Sequence, residues 1–214
     1  MKRPIAALLI ALPVTLPLPA CVVSDIGPDV DPYGHQVRIS GGWFDANEDD
    51  QLPGEDDGGA FEVGGTVFFG PTSALALDAQ LMIAANRYDT IVPPPPVGVI
   101  GGRTTIGTSG FELGPRLVLG RHQDLRAFVR GGGGLYASSM AVDVNVFGLP
   151  GEYEEDDFAP GAYAGFGLEG RIQRVWVGLE WRWTFLEGDF GAPFDVNDVD
   201  LGGGVAALTL GFAF

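Results

Sequence analysis

The segment VWVGLEWRWTF, residues 175–185, alternates strictly between apolar and polar or small side chains. One face carries Val175, Val177, Leu179, Trp181, Trp183 and Phe185, and the other carries Gly178, Glu180, Arg182 and Thr184. A period of two sustained over about ten residues is typical of a β-strand with one side against lipid. The segment therefore predicts a membrane-spanning strand.

Seven further segments share this period. Their apolar faces run Val37–Trp43, Phe61–Phe69, Leu75–Ile83, Phe111–Leu119, Leu125–Val129, Ala162–Ile172 and Ala206–Phe214. A strand of about ten residues, tilted near 40°, spans roughly the 25 Å of an apolar membrane band. The sequence thus predicts an all-β protein, an eight-stranded antiparallel up-and-down transmembrane β-barrel.

The connections between these segments alternate in length. Short turns are expected at residues 71–73, 121–124 and 173–174, and long loops at roughly 45–59, 88–103, 138–159 and 187–199. This alternation places all the long loops at one end of the barrel, and the short turns with both chain termini at the other. Bacterial outer-membrane barrels have this asymmetry, with the long loops outside the cell.

The polar faces of the strands carry arginines and carboxylates but no lysine. Of the 12 basic residues in the chain, Lys2 is the single lysine. A solvated exterior would include lysine, whereas guanidinium groups pair bidentately with carboxylates in a narrow space. We therefore expect a lumen ion-pair network made of Arg38, Glu62, Asp78, Glu112, Arg116, Arg126, Arg130, Glu169, Arg171, Glu180 and Arg182. Nearby glycines, Gly64, Gly114, Gly132, Gly165 and Gly178, are expected to leave room for these side chains.

The N-terminal segment has the layout of an export signal. Lys2 and Arg3 precede the apolar run from Ile5 to Leu12, and Cys21 follows Ala20. We expect a signal peptide at residues 1–20, a Pro-, Gly- and Asp-rich tether at 21–34 and the barrel at 35–214. The arrangement of Leu18, Ala20 and Cys21 resembles a bacterial lipobox, which implies lipid attachment at Cys21. The alternative is ordinary cleavage nearby, which would leave an unmodified thiol.

The eight-strand layout and the C-terminal LTLGFAF, residues 208–214, resemble the small outer-membrane barrels of the OmpA and OmpX type. The resemblance covers about residues 35–214. It implies an outer-membrane location in a Gram-negative-type bacterium. It also implies that Phe212 and Phe214 form the signal read by the barrel-assembly machinery.

The sequence offers little support for catalysis or cofactor binding. His35 and His122 are both expected at the short-turn end, and neither is paired with a serine on a strand face. A hydrolase would need such a set close together, so no enzymatic activity is expected. No cofactor or metal site is expected either, and a single cysteine excludes a disulfide within the chain.

Two segments are candidate ligand sites. Asp45, Asn47 and Asp49 resemble the start of a calcium loop, but Asp50 stands where the loop needs glycine and Asp56 where it needs glutamate. We interpret this loop as an acidic, solvated surface. The run from Gly131 to Gly134 lies in a strand pattern and is interpreted as a glycine-lined patch or bulge of the wall, not a phosphate site.

The net charge of −16 and the lack of a basic patch exclude a nucleic-acid partner. The leading interpretation is a non-enzymatic, lipid-anchored and monomeric barrel with a structural or surface-interaction role carried by acidic loops. Its expected partners are outer-membrane lipids, the assembly machinery and divalent cations at those loops. The alternatives are a narrow pore for ions or small solutes, and a secreted, soluble, lipocalin-like lipid carrier.

Overall fold

The computed structural model describes residues 33–46, 56–90, 99–146, 149–190 and 196–214. Within them the chain forms ten β-strands: β1 (Gln36–Ala46), β2 (Asp56–Phe68), β3 (Leu75–Thr90), β4 (Val99–Leu119), β5 (Leu125–Val146), β6 (Leu149–Ile172), β7 (Val175–Phe185), β8 (Glu187–Phe190), β9 (Val196–Asp200) and β10 (Gly203–Ala213). None of the described segments is a helix long and apolar enough to cross a membrane.

Eight of these strands close into a barrel in the order β1-β10-β7-β6-β5-β4-β3-β2. Every neighbouring pair is antiparallel, and β1 pairs with β10 to complete the circle. The eight-stranded up-and-down barrel predicted from the sequence is confirmed. The strands β8 and β9 form a separate hairpin between β7 and β10.

The strand register gives the barrel a shear of ten residues. From Trp43 the paired residues run one way through Ala206 and Trp181 to Phe166. The other way they run through Gly59, Ala85, Gly107 and Ser139 to Asp156, ten residues from Phe166 on β6. A shear of ten on eight strands corresponds to a strand tilt of about 40–45°.

The predicted faces are confirmed on every barrel strand. Along the eight predicted segments the outward positions are mostly apolar and exposed, from Val37 on β1 to Phe212 on β10, and Trp43 is 80% exposed. Inward positions are buried, and along β7 the burial alternates residue by residue. Since the side-chain period of a strand is two, this fixes which residues meet the lumen.

The three short turns lie where they were predicted, at one end of the barrel. They occupy residues 69–74, 120–124 and 173–174, and Tyr33 and Phe214 lie at the same end. Gly120 in the β4–β5 turn has a φ of 73°, and Gln173 in the β6–β7 turn has a φ of 60°. The backbone of each of these two turns therefore passes through the left-handed region. We call this end the turn end and the opposite one the loop end.

The predicted long loops need correction at the loop end. The expected loop at 138–159 is largely paired strand, because the β5–β6 ladder continues to Val146↔Leu149. The expected loop at 88–103 is shortened by β3 and β4, the one at 45–59 by β2, and the one at 187–199 contains β8 and β9. The outward apolar residues that identified the eight segments stop before these strands end, and on β5 the apolar residue Met140 is buried on the inward side instead, so the sequence pattern did not mark the full strand length.

The lumen is filled in three layers. An apolar layer of Phe68, Ala76, Val118 and Phe128 lies at the turn end. The charged residues occupy the middle. A second apolar cluster lies at the loop end. Val199 lies in β9, and Leu186 and Leu201 flank the β8–β9 hairpin. These three pack with Met140 on β5 and Ile106 on β4.

Candidate functional site

Ten charged side chains meet in the middle of the lumen, and all are buried. They are Arg38 on β1, Glu62 on β2, Asp78 on β3, Glu112 and Arg116 on β4, Arg126 and Arg130 on β5, Glu169 on β6, and Glu180 and Arg182 on β7. Five arginines face five carboxylates, so this set carries no net formal charge. Each stands at an inward position of an alternating strand, which is how the local sequence directs it into the lumen.

Arg130 is the centre of this set. Its Nε donates to Glu180 Oε1 at 2.6 Å, and a terminal nitrogen donates to Glu62 Oε2 at 3.2 Å. Its other terminal nitrogen donates to Gln80 and lies 3.8 Å from Asp78 Oδ2. One guanidinium therefore joins groups from β2, β3 and β7, which supports a plug that holds opposite walls together.

Towards the loop end, Arg182 continues the network. It lies 2.8 Å from Glu62 Oε1 and 2.9 Å from Glu112 Oε2, and it contacts the sulfur of Met82 at 3.7 Å. Glu112 also accepts the Tyr136 hydroxyl hydrogen at 2.8 Å. Arg182 on β7 and Tyr136 on β5 thus both hold the carboxylate of Glu112 at the boundary with the loop-end apolar cluster.

Towards the turn end, Asp78 and Glu169 are the acceptors. Asp78 Oδ2 lies 3.3 Å from Arg38 and 3.6 Å from Arg116, and Arg116 lies 2.5 Å from Glu169 Oε1. Arg126 donates twice to Glu169 Oε2, at 2.8 and 2.6 Å. A buried carboxylate with two arginine partners is well compensated for its lost hydration.

Aromatic rings cover the guanidinium faces on this side. The Arg126 guanidinium lies 3.5 Å from the centroid of Trp176, and that of Arg116 lies 3.8 Å from the centroid of Phe128. Cation–π contacts of this kind favour a buried guanidinium without using its hydrogens. The charged layer therefore passes into the apolar turn-end layer through stacked rings.

Arg171 is a correction to the predicted network. It does not join the ten central residues. It lies at the end of β6, where its Nε donates to Asp124 Oδ1 at 2.9 Å, and the Asp124 side chain is 72% exposed. The physical reason is position along the strand, because Arg171 is one residue from the final turn and reaches the rim instead of the lumen.

Tyr136 and Gln80 belong to the network but were not predicted as site residues. Gln80 accepts from Arg38 at 3.0 Å and also contacts Arg130 and Glu112. The ring of Tyr136 is fully buried. Continuing the inward period of β5 from Arg126 and Arg130 through the glycine run would have placed Tyr136 in the lumen.

The glycines expected to leave room act in two ways. A Cβ on Gly178 would lie 2.7 Å from Thr209 Oγ1 and 2.8 Å from Glu169 Cγ, so this glycine admits side chains, although the Cβ would also lie 2.6 Å from the backbone oxygen of Leu168. Gly114 and Gly132 instead face each other's backbone: a Cβ on Gly114 would lie 2.1 Å from Gly131 O, and one on Gly132 would lie 2.2 Å from Leu113 O. These two allow close approach of β4 and β5.

The remaining predicted residues lie away from the lumen. Phe212 points outward from β10, and Phe214 follows it, with its backbone nitrogen donating to His35 O at 2.9 Å. His35 and His122 both lie at the turn end. Cys21 and the loop residues Asn47, Asp49 and Asp50 lie outside the described residues. Within the described ranges, no three His, Cys, Asp or Glu side chains are grouped to hold a metal ion.

Comparison with known proteins gives likeness of fold only. No protein-family model matches the chain, and no curated protein does. Several solved structures resemble it, some of them structures of outer-membrane proteins. Neisserial surface protein A is 12% identical with a TM-score of 0.49, and the match covers 85% of this chain and 97% of that one.

Two others have similar coverage. Ail, the attachment invasion locus protein of Yersinia pestis, is 12% identical with a TM-score of 0.45, over 85% of this chain and 99% of that one. The outer-membrane enzyme PagL is 11% identical with a TM-score of 0.34, over 84% and 99% of the two chains. At this level of similarity the matches carry no argument about activity, and the strand pairing alone shows the barrel.

Proposed function

We propose that the chain is a non-enzymatic outer-membrane barrel with a structural or surface-interaction role, and that its acidic loop end faces away from the cell. The observation that carries the proposal is the distribution of its side chains, which is the opposite of that in a soluble protein. Large apolar residues cover the outside of every barrel strand, while ten charged groups are buried inside. Soluble proteins seldom expose an apolar surface that continues around the whole molecule, whereas a barrel in lipid requires one.

The same distribution disfavours a soluble lipid carrier. Such a carrier needs an apolar lumen for its ligand and a polar exterior for water. Here the middle of the lumen holds five arginines and five carboxylates, and residues such as Leu179 and Ile172 are more than 60% exposed on the outside. A lipid chain would have to displace buried ion pairs to enter.

The lumen also favours a closed barrel over a narrow pore. The ion pairs of Arg130 and Arg182 span the middle, and apolar layers lie on both sides of them. We therefore expect purified protein in planar bilayers to show no steady conductance. Steady single-channel currents from the unmodified protein would contradict a closed lumen and favour the pore.

The loop end supplies the surface for interaction. Exposed carboxylates of the described strands at this end include Asp45, Asp143, Glu154, Asp156, Glu187 and Asp189. Their charge supports recruitment of divalent cations that bridge the protein to anionic lipid headgroups. We propose a diffuse attraction at this end, since the described carboxylates are not grouped as metal ligands.

Fractionation combined with surface proteolysis tests the membrane location and the orientation together. We expect the protein in the outer-membrane fraction, with a folded form whose gel mobility changes on boiling, and with protease cleavage of intact cells confined to the loop end. Recovery in the soluble periplasmic fraction, or cleavage only at the turn end, would contradict the proposal.

The variant Cys21→Ser is the matched control for anchoring. If the barrel itself spans the membrane, this variant stays in the membrane fraction even when lipid attachment is lost. Release of Cys21→Ser into the soluble fraction would mean that a lipid alone holds the protein. Lipid attachment at Cys21 and the assembly role of Phe212 and Phe214 are part of this proposal.

A further inference from the structure

Tyr33 lies against the turn end of the barrel, three residues before β1. Its ring meets the ring of His122 edge-on at 5.3 Å between centroids and lies 6.2 Å from the ring of Trp176. The guanidinium of Arg171 lies 4.7 Å from the Tyr33 centroid. The segment before β1 is thus held against residues from the β4–β5 turn and from both sides of the β6–β7 turn.

Arg121 holds the backbone of the same segment. It is a buried residue of the β4–β5 turn, and its Nε and one terminal nitrogen donate to Tyr33 O at 3.2 and 2.9 Å. The other terminal nitrogen donates to Gly70 O at 2.5 Å and Ser73 O at 2.6 Å, both in the β2–β3 turn. The guanidinium stacks on Phe68 at 3.8 Å. A planar fork with several fixed donors suits this geometry, and a lysine would not reproduce it.

These contacts lie beside the seam between the first and last barrel strands. His35 follows Tyr33 by two residues; its carbonyl accepts from Phe214 N at 2.9 Å, and its Nδ1 accepts from Phe68 N at 3.2 Å. Next to it, Gln36 pairs with Ala213 in the β1–β10 ladder. The segment held at Tyr33 thus leads directly into the β1–β10 seam.

The seam is the pair of strands that the chain does not connect directly. Each other neighbouring pair in the barrel is consecutive in sequence, or separated only by the β8–β9 hairpin. Chain ends open first unless other contacts tie them down. We propose that Arg121 and Tyr33 form a latch that holds the turn end of the β1–β10 seam closed. The latch is a property of the barrel and does not depend on the proposed function.

Hydrogen exchange of the full chain in detergent micelles tests the latch. In Arg121→Gln, we expect the amides of Phe214 and Phe68 to exchange about tenfold faster or more, because their acceptors on His35 lose their support. Amides of β5 and β6 near Val129 and Phe166 should keep their rates. Arg121→Lys should resemble Arg121→Gln, since it keeps the charge but loses the fork.

Tyr33 variants separate the latch from general stability. Tyr33→Ala should accelerate the same seam amides and Tyr33→Phe should not, because the ring makes the contacts. Arg87→Gln, an exposed position on β3, is the matched control and should leave all rates unchanged. Equal acceleration throughout the barrel in both Arg121→Gln and Tyr33→Ala, or unchanged seam amides in either, would overturn the proposal. If Arg121→Gln does not fold, the two Tyr33 variants decide.

Discussion

Replacing Arg130 with methionine should lower the free energy of unfolding by about 3–5 kcal/mol, the range found when one partner of a buried ion pair is removed. The substitution deprives Glu180 of its ion-pair partner among the described residues and removes one partner from Glu62, in a space that water does not reach. Urea unfolding in lipid vesicles, followed by tryptophan fluorescence, measures this loss.

The double variant Arg130→Met with Glu180→Met is the informative control. Removing both charges leaves no orphaned carboxylate at this position, so the pair should cost less than the sum of the two single changes. Arg87→Met, at an exposed position of β3, should change stability little. If Arg130→Met unfolds at the same urea concentration as Arg87→Met, the central network does not hold the barrel together.

The faces of the strands could be predicted because the outside and the lumen of the barrel impose opposite demands on alternate residues. The sequence around Trp181 and Arg182 shows this directly, and burial follows it residue by residue on β7. The closure of eight strands followed from their even number and the chain termini at one end. The faces are a local property that each segment shows by itself, whereas closure was inferred from the number of segments and the lengths of their connections.

The partners inside the lumen could not be predicted in the same way. Arg116 meets Glu169 across 53 residues of sequence, and Arg130 meets Glu62 across 68. These pairs depend on the shear of the barrel, which sets how far each strand slides past the next and is not read from any one strand. Arg171 shows that alternation alone does not predict a contact: it stands at an inward position of the pattern but lies too near the turn to enter the network.

The full length of the strands at the loop end could not be predicted from the sequence either. Residues 140–146 alternate in the opposite sense, with Met140 and Val142 inward and Asp143 exposed, and residues 149–159 have no apolar alternation, although β5 and β6 pair through both stretches. Outside lipid a strand is stabilised by its neighbours' hydrogen bonds and needs no apolar face. An outward apolar face therefore detects the central part of a barrel strand and misses its continuation towards the loop end.

The glycine run at 131–134 leads to the second large effect. A Cβ on Gly132 would lie 2.2 Å from Leu113 O and 2.7 Å from Gly114 Cα, and both are backbone atoms that no side-chain rotation can move. Gly132→Ala should therefore force β4 and β5 apart and destabilise the barrel by about 1–3 kcal/mol or more, as overpacking of a close contact does.

Gly133→Ala is the matched comparison on the same strand. Gly133 points outward, and the atom nearest to a new Cβ there would be Gly161 O at 3.6 Å, an ordinary contact. With no clash to relieve, this change should be close to neutral or stabilise slightly, because alanine has fewer unfolded conformations than glycine. Urea unfolding of the two variants separates the explanations of the run. Equal changes in stability for the two variants would mean that the glycines provide only backbone flexibility. A loss of stability confined to Gly132→Ala would mean that glycine is needed at this position for the close approach of β4 to β5.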